Sequence, residues 1–349
     1  MDDNKLNEML GRFVGDLGAT ITAGGVVLGH RLGLYRALAE SRGTADDLAR
    51  RTECDPRYVA EWARAQAAGG YVDFDPEGEV YSLGEEQAFV LANPDGAVYA
   101  PGAFVLALGS LQAVDRITEA FRTGAGVGWH EHDDEVFVGC EQFFRPGYLA
   151  NLVPAWLPAL DGVEDKLRAG GRVADIGCGL GASTILLAEA FPTARLVGAD
   201  YHAESIELAS KRAADAGVAD RIDFEIATAQ NFPGTGYDLV ATFDCLHDMG
   251  DPVGAARHIR QSLAEDGTWL IVEPYAGDAV ADNLNPVGRS YYGFSTFLCV
   301  PNALSQAGGY SLGAQAGEGA ISKVVAEAGF TRFRRAAETP FNLVYEARP

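Results

Sequence analysis

GRVADIGCGLGASTILLAEA, residues 171 to 190, sets an apolar strand-like run directly before Gly177, Gly179 and Gly181 and a helix-forming run directly after them. Three glycines so close together let the main chain turn sharply and approach a ligand. The amides that open the following helix then supply donors and the positive end of its dipole. Around this element the runs RVADIG, ARLVGAD, RIDFEIA, YDLVATF and TWLIVEP alternate with helical stretches. That alternation describes βαβ units on a parallel sheet, so the expected fold class is α/β. Ligands on such sheets bind beyond the carboxyl ends of the strands, where the strand order reverses.

The glycines alone leave the ligand open, because Gly177, Gly179 and Ala182 also satisfy the GxGxxG/A form of nicotinamide dinucleotide sites. Asp175, two residues before the first glycine, argues otherwise. A carboxylate there would gain nothing from a diphosphate and would attract a ligand carrying a positive amine. Asp200, ending the next strand, can accept hydrogen bonds from both hydroxyls of a ribose.

In order, VADIGCGLG, VGADYH, ATAQNFP, YDLVATFDCLHDMGDP and WLIVEP resemble the motif series of class I S-adenosylmethionine-dependent methyltransferases. The likeness implies a Rossmann-like seven-stranded sheet, and the C-terminal GFTRFRRAAETPFNLVYEARP suits the reversed hairpin that ends it. It further implies that Asp175, Gly177 and Gly179 receive the methionine end of S-adenosylmethionine and that Asp200 holds the ribose. By the same likeness Tyr201 lies beside the adenine, and Phe243 and Asp244 close the cleft. Thr228 and Ala229 stand where such enzymes often carry an acid followed by a small residue, so Thr228 is a departure. The product would be S-adenosylhomocysteine.

Upstream, Leu6, Met9, Leu10, Phe13, Val14, Leu17 and Ile21 recur at helical steps, and a second helix is expected over Val26 to Leu38. Thr44 and Asp47 stand at capping-box spacing; Asp55, Pro56 and Gly69 bracket another helix; and YVDFDPEGEVYSL reads as a hairpin. Helix, turn, helix and hairpin make a winged helix. From Ser41 to Gly70 five arginines face five acids, and the whole chain carries 27 basic against 49 acidic residues. A helix that reads DNA needs a basic footprint, so the expected role is homodimerisation, with nucleic acid and anionic membranes disfavoured. A cofactor-sensing DNA-binding regulator is the competing reading, and a nicotinamide oxidoreductase a third. The expected domains are 1–87 (winged helix), 88–165 (helical connector or lid) and 166–349 (cofactor binding).

MDDNKLNEML lacks a basic start before an apolar stretch, no apolar run is long enough for a bilayer, and the five cysteines lack CxxC spacing. A soluble cytoplasmic protein with reduced thiols is expected.

His247, just after the fourth strand, can face a reacting methyl group and take up a proton, and its neighbour Asp248 could orient the ring. LHDMGDP also resembles the LHDWSD segment of winged-helix small-molecule O-methyltransferases typified by plant caffeate enzymes. That likeness implies a base role for His247. More broadly, the chain is similar to a group of bacterial methyltransferases with this layout. Glu273, ending the fifth strand, is the second catalytic candidate; magnesium-dependent catechol-type relatives carry an Asp-Asn pair at this strand end, so by that likeness Glu273 followed by Pro274 disfavours magnesium. In WHEHDDE the acids and His130 and His132 form a tempting metal cluster; a solvated acidic loop is the commoner outcome of such a run, and contact between these histidines and substrate is favoured over metal. With Phe144, Tyr148, Arg289 and Tyr292 they outline an aromatic-walled pocket for a small apolar methyl acceptor. The sequence leaves the acceptor atom open among oxygen, nitrogen and carbon, the last two served mainly by proximity.

Overall fold

The computed structural model describes all 349 residues, Met1–Pro349. The chain divides into two compact units, one of residues 1–108 with 138–146 and one of residues 109–137 with 147–349.

The first unit holds α1 (Asp3–Arg31), α2 (Leu34–Glu40), α3 (Ala45–Arg51), α4 (Pro56–Ala68), the hairpin of β1 (Asp73–Asp75) and β2 (Val80–Ser82), and α5 (Glu85–Leu91). Local chemistry sets most of these ends. Thr44 and Asp47 form a reciprocal capping box on α3, and the Asp55 carboxylate accepts the Arg57 and Tyr58 amides at the start of α4. The helix expected over Val26 to Leu38 is not one element. Val26–Arg31 continue α1, and Gly33, at φ +67°, breaks the helix before α2. Trp62 and Tyr35 anchor the core, the indole donating to the Gly25 carbonyl at 2.7 Å and the phenol to Gln66 at 2.5 Å. By contrast, Met9, Phe13, Val14 and Ile21 along the first two-thirds of α1 are exposed.

α6 (Pro101–Leu111) leads the chain out of this unit. α7 (Val114–Thr123) belongs to the second unit; α8 (Asp134–Asn151), whose residues 138–146 belong to the first, runs on through Pro146 without a break. After α9 (Val163–Arg168) the alternation starts: β3 (Arg172–Ile176), α10 (Ala182–Ala190), β4 (Arg195–Asp200), α11 (Ala203–Asp215), β5 (Ile222–Ile226) and β6 (Tyr237–Phe243). It closes with α12 (Pro252–Ser262), β7 (Leu263–Pro274), α13 (Pro286–Phe297), α14 (Cys299–Ser305), α15 (Gly317–Glu327) and the hairpin β8 (Arg332–Glu338) and β9 (Asn342–Arg348). The seven strands lie in the order β5-β4-β3-β6-β7-β9-β8, parallel except for the antiparallel β9 and β8. Consecutive residues of β6 and β7 are buried, so both faces of the sheet are covered. The chain leaves β3 toward β5 and then crosses back to β6. This reversal puts the carboxyl ends of β3, β4 and β6 together, with Ile176 in register with Ala199 and Thr242.

Candidate active site

Gly177 and Gly179 adopt φ of +74° and +51°, a region open to glycine at little cost. A Cβ on Gly177 would lie 2.8 Å from the Cys245 sulfur, whereas one on Gly179 would meet nothing within 4 Å. The loop is thus tight at its root and open at its crest. Beneath it Asp175 is wholly buried. Its Oδ2 accepts the Ser183 and Thr184 hydroxyls at 2.6 Å each, and its Oδ1 has no partner. Burial pushes its pKa up to about 6 against the opposing pull of the two hydroxyls.

At the end of β4, Asp200 accepts the Gly179 amide on Oδ2 at 3.0 Å and the His202 amide on Oδ1 at 2.9 Å. Each oxygen keeps a free lone pair for a further donor. Burial raises this carboxyl too. Tyr201 follows, 40% exposed, with its hydroxyl donating to Asn302 Oδ1 at 3.1 Å. His202 stacks on Phe137 at 4.2 Å. Thr228, past β5, is exposed, and its amide and hydroxyl both donate to Asn231; Ala229 packs on the sheet core.

At the end of β6, Phe243 is buried against Tyr148 and Trp156. Asp244 has φ +51°, unusual for a residue with a side chain, and accepts the Tyr148 hydroxyl at 3.3 Å and the Asn342 amide at 3.0 Å. Burial, and then repulsion from Glu273, push its pKa up to about 8. His247 is buried between two partners: Nδ1 lies 2.6 Å from Glu273 Oε2 and Nε2 lies 3.3 Å from Cys299 Sγ. The other Glu273 oxygen accepts the Leu246 amide at 3.0 Å. Burial lowers the imidazole pKa, but the Glu273 and Cys299 groups outweigh it, and the net direction is well above the usual histidine value. The expected orienting role of Asp248 is thus filled by Glu273, whose strand brings it under the ring.

The structure gathers Asp175, Gly177, Gly179, Asp200, Tyr201, Phe243, Asp244, Tyr148, His247 and Glu273 around one sheet edge. The substrate candidates scatter more. His130 is exposed on a 3-10 turn, whereas His132, just past its end, is buried with neither ring nitrogen bonded; the two do not share a face. No group of three or more His, Cys, Asp or Glu side chains is arranged to hold a metal ion. Phe144 belongs to the first unit, tilted against Phe143. Arg289 is exposed on α13, while Tyr292 lines a cavity of about 340 Å³ with Ile117, Phe121, Val300, Leu304 and Leu312. Sequence reasoning missed Ser183, Thr184, Cys299 and Asn302. The two hydroxyls at the head of α10 were legible in principle, since the first turn of the helix faces the loop. Cys299 and Asn302 come from α14 and carry no local signal.

Residues 167–311 match the family model described as Methyltransferase domain, and residues 20–93 match that described as Rv2258c-like winged HTH domain. The 27-O-demethylrifamycin SV methyltransferase of Amycolatopsis mediterranei is 34% identical over 131 residues, 35% of this chain and 48% of that protein. The chain spans about half the length of the curated relatives it matches. Among solved structures, the mitomycin 7-O-methyltransferase superposes with a TM-score of 0.67 at 20% identity, covering 99% of this chain and 100% of that one. Human N-acetylserotonin methyltransferase, solved in complex with S-adenosylmethionine, gives a TM-score of 0.70 at 17% identity, with 97% of each chain covered.

Proposed function

We propose that this chain, which joins a winged-helix domain to a methyltransferase domain of the class I fold, transfers a methyl group from S-adenosylmethionine to an oxygen of a small apolar molecule. The observation that carries the reading is the cradle at the strand-order reversal. A buried carboxylate with an unbonded oxygen lies under an open glycine crest, and a second carboxylate with spare lone pairs stands one strand away. These groups fit the cofactor. Asp175 and the loop suit its cationic amino-acid end, Asp200 its ribose hydroxyls and the half-exposed Tyr201 ring its adenine. A dinucleotide diphosphate would set negative charge among carboxylates that already repel one another. When bound, the cofactor supplies an electrophilic methyl group on a positive sulfur.

His247 is the proposed general base. Glu273 accepts the Nδ1 proton and stabilises the imidazolium, which leaves Nε2 to receive the acceptor's hydroxyl proton once Cys299 yields that position. Because Glu273 raises the imidazole pKa, His247 works as a base at a higher pH than a free imidazole would. The cavity beside α13 and α14 has the size and apolar lining of a small-molecule site, and Tyr292 is its aromatic wall. Calorimetric titration with S-adenosylhomocysteine, followed by a metabolite screen for the gain of one methylene, tests the whole reading. Absence of binding sinks it.

The remaining assignments are proposals of the same kind. The exposed apolar stripe of α1 favours a homodimer formed through the N-terminal part, which sedimentation of the full chain would reveal. Glu61 pairs with Arg57 and Arg64 on α4, which leaves that helix little free positive charge for DNA. No helix is long and apolar enough to cross a membrane, and a cytoplasmic location agrees with that. The proposed division is 1–87, 88–165 and 166–349; the methyltransferase match at 167–311 lies inside its last part, whereas the winged-helix match at 20–93 runs past the first boundary.

A further inference from the structure

Asn302 is almost wholly buried on α14, and its amide joins three parts of the second unit that are remote in sequence. Its Oδ1 accepts the Trp129 amide at 3.2 Å and the Tyr201 hydroxyl at 3.1 Å, and its Nδ2 donates to the Asp248 carbonyl at 3.2 Å. The segment around Trp129 is fastened to the same helix at two more points. The Val127 amide donates to Pro301 O at 2.9 Å, and Gly126 runs so close to Ser305 that a Cβ would lie 1.9 Å from its nitrogen. Gln306 repeats the link to the His247 side, donating to Asp248 O at 3.3 Å while accepting the Gly250 amide at 3.1 Å. One face of α14 therefore lines the apolar cavity through Val300, Pro301 and Leu304, while Asn302 grips the β4 edge.

We propose that Asn302 is the positioning residue for the nucleoside end of the cofactor. It holds the Tyr201 ring by its hydroxyl so that the exposed ring face meets the adenine, and it ties that ring to the loop carrying His247. The inference rests on the cofactor reading above. A tyrosine free to turn would lose rotamer freedom on binding, and the Asn302 clamp removes that cost beforehand.

The test uses the full chain and S-adenosylhomocysteine as probe, with affinity read by calorimetry and folding by thermal melting. Asn302→Ala strands two donors and should weaken binding roughly tenfold or more. Tyr201→Phe should weaken it by a similar factor, and the double variant should be little worse than either single one, because both remove the same clamp. A purely structural role for Asn302 predicts a lower melting temperature, unchanged affinity and additive effects, and that pattern overturns the proposal. If Asn302→Ala does not fold, Tyr201→Phe alone decides, with unaltered affinity counting against the clamp. Failure of the unaltered chain to bind overturns the cofactor reading and this inference with it. Normal binding by that chain and by Asn302→Ala alike overturns only the clamp.

Discussion

The α3–α4 surface of the winged helix and the carboxyl edge of the sheet are both crowded with charge, and they resolve it in opposite ways. On α4 Glu61 takes both Arg57 and Arg64, and on α3 Asp47 pairs with Arg50 while capping its own helix, all with much of their surface in water. At the sheet edge Asp175, Asp200, Asp244 and Asp248 are all driven toward the neutral form, first by burial. Neighbouring acids add to the effect. Exposed opposite charges satisfy one another and need no third party. Buried acids set close together are costly to ionise, and clusters of such shifted groups concentrate at functional sites, which supports the cradle proposed at this edge.

The largest effect that could break this contrast is at His247. Replacing it by alanine should lower turnover by about 10² to 10⁴, with S-adenosylhomocysteine affinity nearly unchanged, as steady-state kinetics and calorimetry would show. Glu273→Gln, which keeps the shape and removes the charge, should move the rising, acid-side limb of the pH–rate profile, set by deprotonation of His247, to lower pH. Next in size, Asp200→Ala should weaken cofactor-product binding by roughly 10- to 100-fold, since it removes charged hydrogen bonds; an unchanged dissociation constant would place the ribose elsewhere.

A smaller effect follows from the raised acids. Asp175 titrates at about 6, Asp248 at about 7 and Asp244 at about 8, all above their unfolded values. Folding favours their protonated forms, so the stability they lend is full in acid and is lost as pH rises through this window. The ligand-free melting temperature should therefore fall between pH 5.5 and 8.5. Affinity for the positively charged amino-acid end should rise over the same interval. Smallest of all, Glu61→Ala should leave the melting temperature almost unchanged, because exposed pairs contribute little.

Much of the candidate site lay open in the sequence. Asp175 and Asp200 were identifiable because each sits at a fixed offset from a strand end, and the glycine loop announces its own conformation. The winged helix was equally readable from its caps, Thr44 with Asp47 and Asp55 with Pro56. The break at Gly33 was missed because the apolar period continues across it, while the left-handed turn costs glycine nothing. Asp248, adjacent in sequence, does not reach the His247 ring because neighbours on the 3-10 turn Leu246–Asp248 point apart, while Glu273 reaches it from β7.

By itself the sequence determined the alternation of strands and helices, the cradle and the acids that line it, because periodicity, capping and glycine conformation act over a few residues. Only the tertiary structure decided that His247 rests on Glu273, 26 positions away, that Cys299 covers its other nitrogen from 52 positions away, and that Asn302 reaches Tyr201 across 101. Those pairings depend on strand order, register and the return of α14 over the sheet edge. Such distances are set by how the whole sheet packs, and no local preference of the chain encodes them.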